Sequence, residues 1–352
     1  MVAGGAGAAW LGVRGMGSMN DYDATGAQIR SGLSAQPKLA DLIRYATLAP
    51  NGHNTQPWRF RLGDGRIDIL PDYSRRTPVV DPDDHHLFVS LGGAAENLML
   101  AGASRGRPGE IAFDPGGSGG LIFSYGEGPP VGSALFDAIP IRQSTRADYD
   151  GRPVSATDLS LLAAAARLPG VDVILITDRP QIARLRDLVI RGNTAQLADA
   201  AFVRELKAWI RFNPHQALET GDGLFSVASG NPTLPTWLGS AMFDATFKTK
   251  AENDKYASQL DTSAGVAVFV GEREDKDHWS RVGRSSQRFA LQATGLGLKC
   301  SYINQPVEVA ALRPELASLV GVAGRRPDLV MRFGYGPMLP YSARRPARAV
   351  TA

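Results

Sequence analysis

The segment 49–60, APNGHNTQPWRF, places four polar side chains together: Asn51, His53, Asn54 and Gln56. It follows an apolar helical pattern, LADLIRYATLAP, that stops at Pro50. Amide and imidazole groups donate and accept hydrogen bonds, so a cluster of them at a helix end suits the polar edge of a ligand. Hydrogen bonding is therefore the chemistry that this segment offers.

A second segment, PIRQSTRADYDGRPV beginning at Pro140, has the residue types that bind phosphate. Its alternate residues Arg142, Ser144 and Arg146 would place two guanidinium groups and a hydroxyl on one side of an extended chain. A linker with solvated arginines is the alternative interpretation. The C-terminal SARRPARAV adds further arginines, which a solvated tail explains equally well: Arg344, Arg345 and Arg348.

The composition excludes several classes of protein. The chain has 352 residues, 43% hydrophobic and 21% charged, which is typical of a protein with one large core or two smaller ones. The net charge of +3 is spread without a basic stripe, so no nucleic-acid partner is expected. The single Cys300 excludes an internal disulfide and is expected to be a buried apolar side chain. Adjacent His85 and His86 would point to different sides of a regular element, so no metal site is expected.

The first residues, MVAGGAGAAWLGVRGMGSM, are small and apolar, and they are too short and too Gly-rich for a membrane span. They are similar to the hydrophobic middle of an export signal that lacks its basic start. Two interpretations of residues 1–34 stay open: a disordered extension, or a twin-arginine signal whose start was lost through a late start codon. Cytoplasmic and periplasmic locations therefore both stay open, and no stable membrane insertion is expected.

Helical and strand-like patterns follow one another in the same style twice, which indicates an α+β protein. The helical patterns lie at 37–49, 86–106, 153–170, 180–192 and 283–298. The strand patterns lie at 60–62, 66–72, 111–115, 121–128, 172–178, 265–272 and 327–336. We interpret this order as one α+β unit written twice.

An insertion interrupts the second unit at about 212–262. Gly, Pro and Asn residues break any long period there, so an irregular segment is expected. Long irregular segments in compact domains are commonly lids or binding loops. A lid and a solvent-exposed elaboration without a role both stay open.

The two polar segments together resemble a known family. APNGHNTQPWRF resembles the A-P-S-x-x-N-x-Q-P-W segment that ends the first long helix of FMN-dependent nitroreductases. RQSTRADYDGRPV resembles the R-x-S-x-[RK] segment that grips the FMN phosphate in those proteins. Ordinary members carry both segments in each subunit of a homodimer, whereas here each copy keeps one. From about residue 35 to residue 350 the chain resembles the Acg-like branch, in which two such copies are fused.

That resemblance implies a nitroreductase-like fold in which two tandem copies form an intramolecular pseudo-dimer. The halves would span 35–138 and 139–352, with the insertion as a lid. The residues expected to hold FMN from the phosphate side are Arg142, Gln143, Ser144, Arg146, Arg344 and Arg345, with Gln143 on the ribityl chain. The residues expected at the flavin ring are Pro50, Asn51, Gly52 and Asn54 from the first half, with Asn304 and Gln305 near N5. Gln56, Pro57 and Trp58 are expected to anchor the turn into the next strand.

The function implied by the resemblance is that of an FMN-dependent oxidoreductase. It would pass hydride equivalents from a small-molecule donor to a nitroaromatic or quinone-type acceptor, and no catalytic protein side chain is required. Two alternatives stay open: a flavin-sequestering protein whose lid blocks the donor, and an interaction protein that has lost FMN. The fusion further implies a monomer with one FMN per chain.

Overall fold

The strand patterns of the first half pair into one antiparallel sheet. The computed structural model describes residues 15–117 and 119–352. The first sheet has the strand order β1-β2-β4-β3. Its strands are β1 Trp58–Gly63, β2 Arg66–Pro71, β3 Gly109–Asp114 and β4 Gly120–Tyr125. Exposure alternates along β3, as expected for an edge strand of a sheet with one covered face.

The second half forms another four-stranded antiparallel sheet, with the strand order β5-β8-β10-β9. The remaining strands are β5 Val171–Ile176, β6 Ile210–Arg211, β7 Leu224–Phe225, β8 Gly265–Gly271, β9 Lys299–Tyr302 and β10 Leu329–Gly334. Every residue of the central strands β8 and β10 is buried. Their sequences are near-continuous apolar runs because helices cover both faces.

Five helices lie at the helical patterns predicted from periodicity, although the one predicted at 180–192 extends to Ala198 and the one predicted at 283–298 begins at Lys276. In chain order the helices are α1 Met19–Ile29, α2 Leu39–Ala46, α3 His85–Ala103, α4 Ala134–Ala138, α5 Ala156–Ala166, α6 Arg179–Ala198, α7 Ala200–Ala208, α8 Pro214–Thr220, α9 Thr236–Thr246, α10 Thr249–Asp261, α11 Lys276–Gly295, α12 Gln305–Glu308, α13 Arg313–Leu319 and α14 Ala347–Val350. The predicted α+β class is confirmed. Among these described helices, none combines the length and the apolar character needed to cross a membrane.

The long helices α3 and α11, one from each half, pack directly against each other through glycines. A Cβ atom on Gly92 would lie 1.9 Å from the carbonyl oxygen of Ser280. A Cβ atom on Gly283 would lie 1.9 Å from the carbonyl oxygen of Val89. The two contacts are reciprocal, as in a two-fold interface, and each requires a residue without a side chain.

A buried carboxylate joins the same two helices. Glu96 of α3 is fully buried and accepts hydrogen bonds from Arg284 at 2.9 Å and Arg288 at 2.8 Å, both on α11. Asn97 accepts a further hydrogen bond from Gln287 at 2.7 Å. A buried charge is tolerated when it is paired in this way, so these contacts fix how the halves face each other.

Part of the predicted N-terminal extension is packed on the rest of the protein. Helix α1 is capped by Ser18, whose side chain accepts from backbone N–H groups of the first turn. Tyr22 is buried, with its ring centroid 4.4 Å from that of Phe225. The interpretation of 1–34 as a disordered extension is therefore wrong for α1. Residues 1–14, which carry most of the signal-like pattern, lie outside the described residues.

The insertion is more regular than predicted. It contains α8, α9 and α10, and α10 packs on α6 through the fully buried Leu260, a member of the second half's core. The expectation of an irregular segment is wrong there because its Gly and Pro residues cap short helices instead of preventing them. Gly221, with φ of 65°, ends α8 in the left-handed conformation.

Candidate functional site

A cavity of about 500 Å³ lies where the two halves and the insertion meet. Cofactor and small-molecule sites typically have volumes of about 300–1,000 Å³. Half of the predicted site residues line this cavity: Pro50, Asn51, Gly52, Arg146, Asn304 and Gln305. The others lie behind its wall, where they hold the surrounding segments in place.

The loop after α2 has an unusual backbone. His53, Asn54 and Gln56 have φ of 48°, 54° and 54°, in the left-handed region. Such a conformation is uncommon for residues other than glycine, and consecutive cases are found where the surroundings impose them. The Asn51 carboxamide oxygen accepts from the Gln56 backbone N–H at 2.7 Å and so closes the loop across its base.

Asn54 does not line the cavity, which corrects its predicted place at the flavin ring. Its amide donates to the carbonyl oxygens of Gly223 at 3.0 Å and Ala343 at 3.1 Å. Its oxygen accepts from Arg344 at 2.8 Å. Each polar atom of this buried side chain is therefore engaged, and Asn54 joins the loop to the insertion and the C-terminal segment.

Gln56 is fully buried in the same junction, in agreement with its predicted structural role. Its amide donates to the Gly221 carbonyl at 2.8 Å, and its oxygen accepts from the Arg345 backbone N–H at 2.9 Å. Trp58 is also fully buried at the start of β1. Gln56 and Trp58 thus anchor the turn into the strand.

Arg146 presents a free cation to the cavity. Its guanidinium group forms no hydrogen bond or ion pair with any residue that the structure describes. Burial lowers the pKa of Arg146, and the nearby hydroxyls of Tyr256 and Tyr149 oppose that shift. An arginine remains charged under such conditions, so the cavity holds a positive charge without a partner in the part of the chain that the structure describes.

Asn304 and Gln305 reach the cavity from the start of α12. The Asn304 oxygen accepts from the Val330 backbone N–H at 2.9 Å, which ties the residue to β10. The Gln305 carboxamide oxygen is buried and has no hydrogen-bond partner among the described residues. An unpaired buried acceptor destabilises the protein unless a ligand or a water pairs with it.

Arg142 and Ser144 do not face the cavity with Arg146. The Arg142 guanidinium donates to the Leu48 carbonyl at 2.9 Å and to the Ser144 hydroxyl at 3.3 Å. The single cradle predicted from alternate positions is therefore divided, with Arg142 behind the loop wall. Gln143 is also committed elsewhere, since it accepts from the Thr145 hydroxyl at 3.1 Å and donates to the Leu339 carbonyl.

Arg344 joins Arg142 at the end of α2. Its guanidinium donates to the carbonyl oxygens of Thr47 at 2.6 Å and Ala49 at 3.1 Å, groups that a helix end leaves unpaired. Arg345 points away from it and donates to the Ala349 carbonyl at 2.8 Å. One of its Nη atoms is buried without a partner among the described residues, so its phosphate role stays a prediction.

The insertion supplies an apolar wall opposite these polar groups. Phe243 and Phe247 of α9 are stacked, with ring centroids 4.3 Å apart and planes 20° apart. Phe212 and Met242 also line the cavity. Flat apolar side chains favour a flat apolar ligand on this side.

Among the cavity-lining residues that were not predicted as site residues are His53, Tyr256 and Tyr302. His53 has a buried Nδ1 atom without a partner among the described residues, and burial followed by Arg146 and His86 lowers its pKa to about 4. Burial raises the pKa of Tyr256 and of Tyr302 to about 12, so both keep their hydroxyl protons at neutral pH. His53 lay within the polar segment, but its direction depends on the left-handed backbone, which the sequence does not show.

His85 and His86 are closer together than predicted, with ring centroids 4.6 Å apart. The expectation that they point to different sides is wrong, because they begin α3 beside Asp81. Donor atoms of these three side chains lie within 4.8 Å of one another. However, each Asp81 oxygen accepts a backbone N–H, from His86 and from Leu87 at 3.0 Å, as in a helix cap.

Known proteins of similar sequence were found for this chain. No protein-family model matches it. It is 27% identical over 308 residues to "Putative NAD(P)H nitroreductase Rv3131" of Mycobacterium tuberculosis, a match that covers 84% of this chain and 85% of the relative. It is 24% identical over 321 residues to "Putative NAD(P)H nitroreductase acg" of the same organism, covering 86% and 92%. The predicted family resemblance is confirmed.

A solved structure is also similar to part of the chain. A nitroreductase with bound FMN from Desulfitobacterium hafniense is 12% identical and aligns with a TM-score of 0.39. The alignment covers 60% of this chain and 94% of that one.

Proposed function

We propose that this chain binds one FMN in the large cavity and is an NAD(P)H-dependent oxidoreductase. The observation that carries the proposal is the convergence of the loop at 50–53, Arg146 and Gln305 on one space of cofactor size. The names of the acg-like relatives support the choice of reaction. When bound, FMN would supply the hydride chemistry.

The cavity residues fit a flavin by their chemistry. A flavin has hydrogen-bond donors and acceptors along one edge, a flat ring and an anionic tail. The unpaired Gln305 oxygen can accept from a ring N–H, and the protonated Tyr302 hydroxyl can donate. The free Arg146 guanidinium can balance negative charge on the cofactor.

The chain's remaining part in the reaction is to position and exclude. The loop at 50–53 lines one wall of the cavity, and the side chains that we propose as cofactor contacts there are Asn51 and His53, with Pro50 and Gly52 in the backbone wall. The apolar wall of α9 would exclude water from the ring. Phe243 and Phe247 favour flat acceptors, so we propose nitroaromatic or quinone-type compounds as the oxidising substrates.

We also propose that halves at 35–138 and 139–352 act together as an internal pseudo-dimer, with α9 as a lid. The reciprocal Gly92 and Gly283 contacts support this proposal, since they have the form of a two-fold subunit interface. The expected solution state is a monomer with one FMN per chain.

The test is the absorbance spectrum of the purified protein, followed by anaerobic NADPH and then NADH. Bleaching of a flavin band by either donor is the expected result. A flavin band that resists both donors but bleaches with dithionite would contradict the reductase and favour sequestration. Absence of a flavin band after reconstitution with FMN would contradict the cofactor.

A further inference from the structure

Arg30 directly follows the last residue of helix α1 and lies between two segments already linked to phosphate binding. The Arg30 guanidinium donates to the Pro140 carbonyl at 3.2 Å, at the start of the segment that holds Arg142. It also lies over the Tyr341 ring, 3.9 Å from the ring centroid, close to the segment that holds Arg344. These contacts fix Arg30 beside both arginines.

Arg142 and Arg344 already meet at one atom. The Leu48 carbonyl oxygen accepts from Arg142 at 2.9 Å and from Arg344 at 3.3 Å. Leu48 is followed closely by Pro50, which lines the large cavity. The arginine cluster, Arg30, Arg142 and Arg344, therefore lies directly behind the cavity wall.

The positive charge of the arginine cluster is unbalanced. Within 15–117 and 119–352, none of the three forms an ion pair with a carboxylate. Burial, followed by Arg142, lowers the pKa of Arg30 to about 10. The pKa of Arg344 is lowered mainly by burial and further by the positive charges of Arg30 and Arg142. Arg142 and Arg344 are buried and Arg30 is half-buried, and an anion would compensate like charges that uncharged hydrogen-bond acceptors now solvate.

Two further observations point to a ligand. The Arg142 side chain is only 4% exposed, yet its Nε atom has no partner among the described residues. A small cavity of about 40 Å³ lies against Arg30, Tyr341 and Arg344. The cavity thus touches two of the three arginines, and the unused donor belongs to the third.

We propose that Arg30 completes an anion site with Arg142 and Arg344, and that this site takes the phosphate monoester of FMN. This inference rests on the proposed function and adds the N-terminal helix to the cofactor site. Guanidinium groups bind phosphate through paired, charge-assisted hydrogen bonds, so a third arginine suits a group that carries nearly two negative charges.

The experiment compares FMN with riboflavin, which has the same ring and no phosphate. Dissociation constants are measured by flavin fluorescence for the wild type, Arg30→Gln, Arg30→Lys and Arg191→Gln. Arg191→Gln is the matched control, because this substitution removes the same charge from an exposed ion pair with Glu315. We expect Arg30→Gln to weaken FMN binding about 10-fold or more and to leave riboflavin binding unchanged. Arg30→Lys should keep most of the FMN affinity.

A second readout needs no flavin. Inorganic phosphate should raise the Tm of the flavin-free wild type and of Arg191→Gln, and it should raise that of Arg30→Gln less. Equal losses for FMN and riboflavin, or a loss of NADPH affinity with FMN unchanged, would overturn the inference. A wild type that binds neither flavin would instead overturn the proposed function. The two failures are thus distinguishable, because the variants are compared only if the wild type binds flavin.

Discussion

Arg142 and Arg146 stand in one short segment, but their surroundings differ. Arg142 is tied to the Leu48 carbonyl behind the loop and keeps only its Nε atom unpaired, whereas Arg146 faces the cavity without a partner among the described residues. The same residue type is thus held largely by the protein at one position and is an open charge at the other. Within one binding motif, some residues therefore pack on the protein and others face the ligand, and the sequence pattern alone does not distinguish them.

The largest effect is expected when both guanidinium groups are removed. Arg142→Ala with Arg146→Ala should weaken FMN binding by orders of magnitude, since a charge-assisted hydrogen bond contributes about 1.5–3 kcal/mol. The single variants separate the effect on FMN binding from the effect on stability. Arg146→Ala should weaken FMN binding with little effect on stability, and Arg142→Ala should also lower the free energy of unfolding.

Fluorescence titration with FMN and urea unfolding of the flavin-free protein measure the two effects. Unchanged flavin retention in the double variant would exclude both arginines from the cofactor site. Equal loss of stability in the two single variants would show that Arg146 is also a packed member.

Asn54 tests the packed side of the same comparison. Asn54→Ala removes the bonds to Gly223, Ala343 and Arg344, and the Gly223 carbonyl loses its side-chain donor. The free energy of unfolding should fall by about 2–3 kcal/mol. Gly52→Ala is the control in the same loop, because a Cβ atom there meets nothing within 4 Å. Urea denaturation of both variants would contradict the assignment if their losses were equal.

His53 gives a smaller effect that depends on pH. Its pKa is about 4 in the folded protein and about 6.5 in an unfolded chain, so the unfolded state takes up the proton first as the pH falls. The stabilisation is complete above about pH 6.5 and is lost progressively toward pH 4. At pH 5 the loss from this one side chain is about 2 kcal/mol.

Unfolding free energies measured between pH 7 and pH 5 check this prediction. His53→Asn should reduce the slope, since asparagine tolerates the left-handed backbone and does not titrate. His215→Gln is the control, because His215 is an exposed histidine in the insertion. An unchanged slope in His53→Asn would show that other buried groups cause the acid sensitivity.

Local patterns predicted the elements well and the site only in part. Apolar periodicity at 86–106 predicted α3, which spans His85–Ala103, because the signal is contained in the helix itself. The roles of Asn54 and Arg344 were not predictable in this way. Their partners lie in distant parts of the chain, and side-chain direction in the loop follows from a left-handed backbone that no local pattern specifies.

The reciprocal glycines between α3 and α11 limit how independently the two halves can change over time. A position whose neighbours all belong to its own half can change without the other half. Gly92 and Gly283 differ, since any side chain there would strike the backbone of the opposite helix, which cannot be exchanged by mutation. Both halves must therefore keep a glycine at this helix crossing, even where their sequences have diverged.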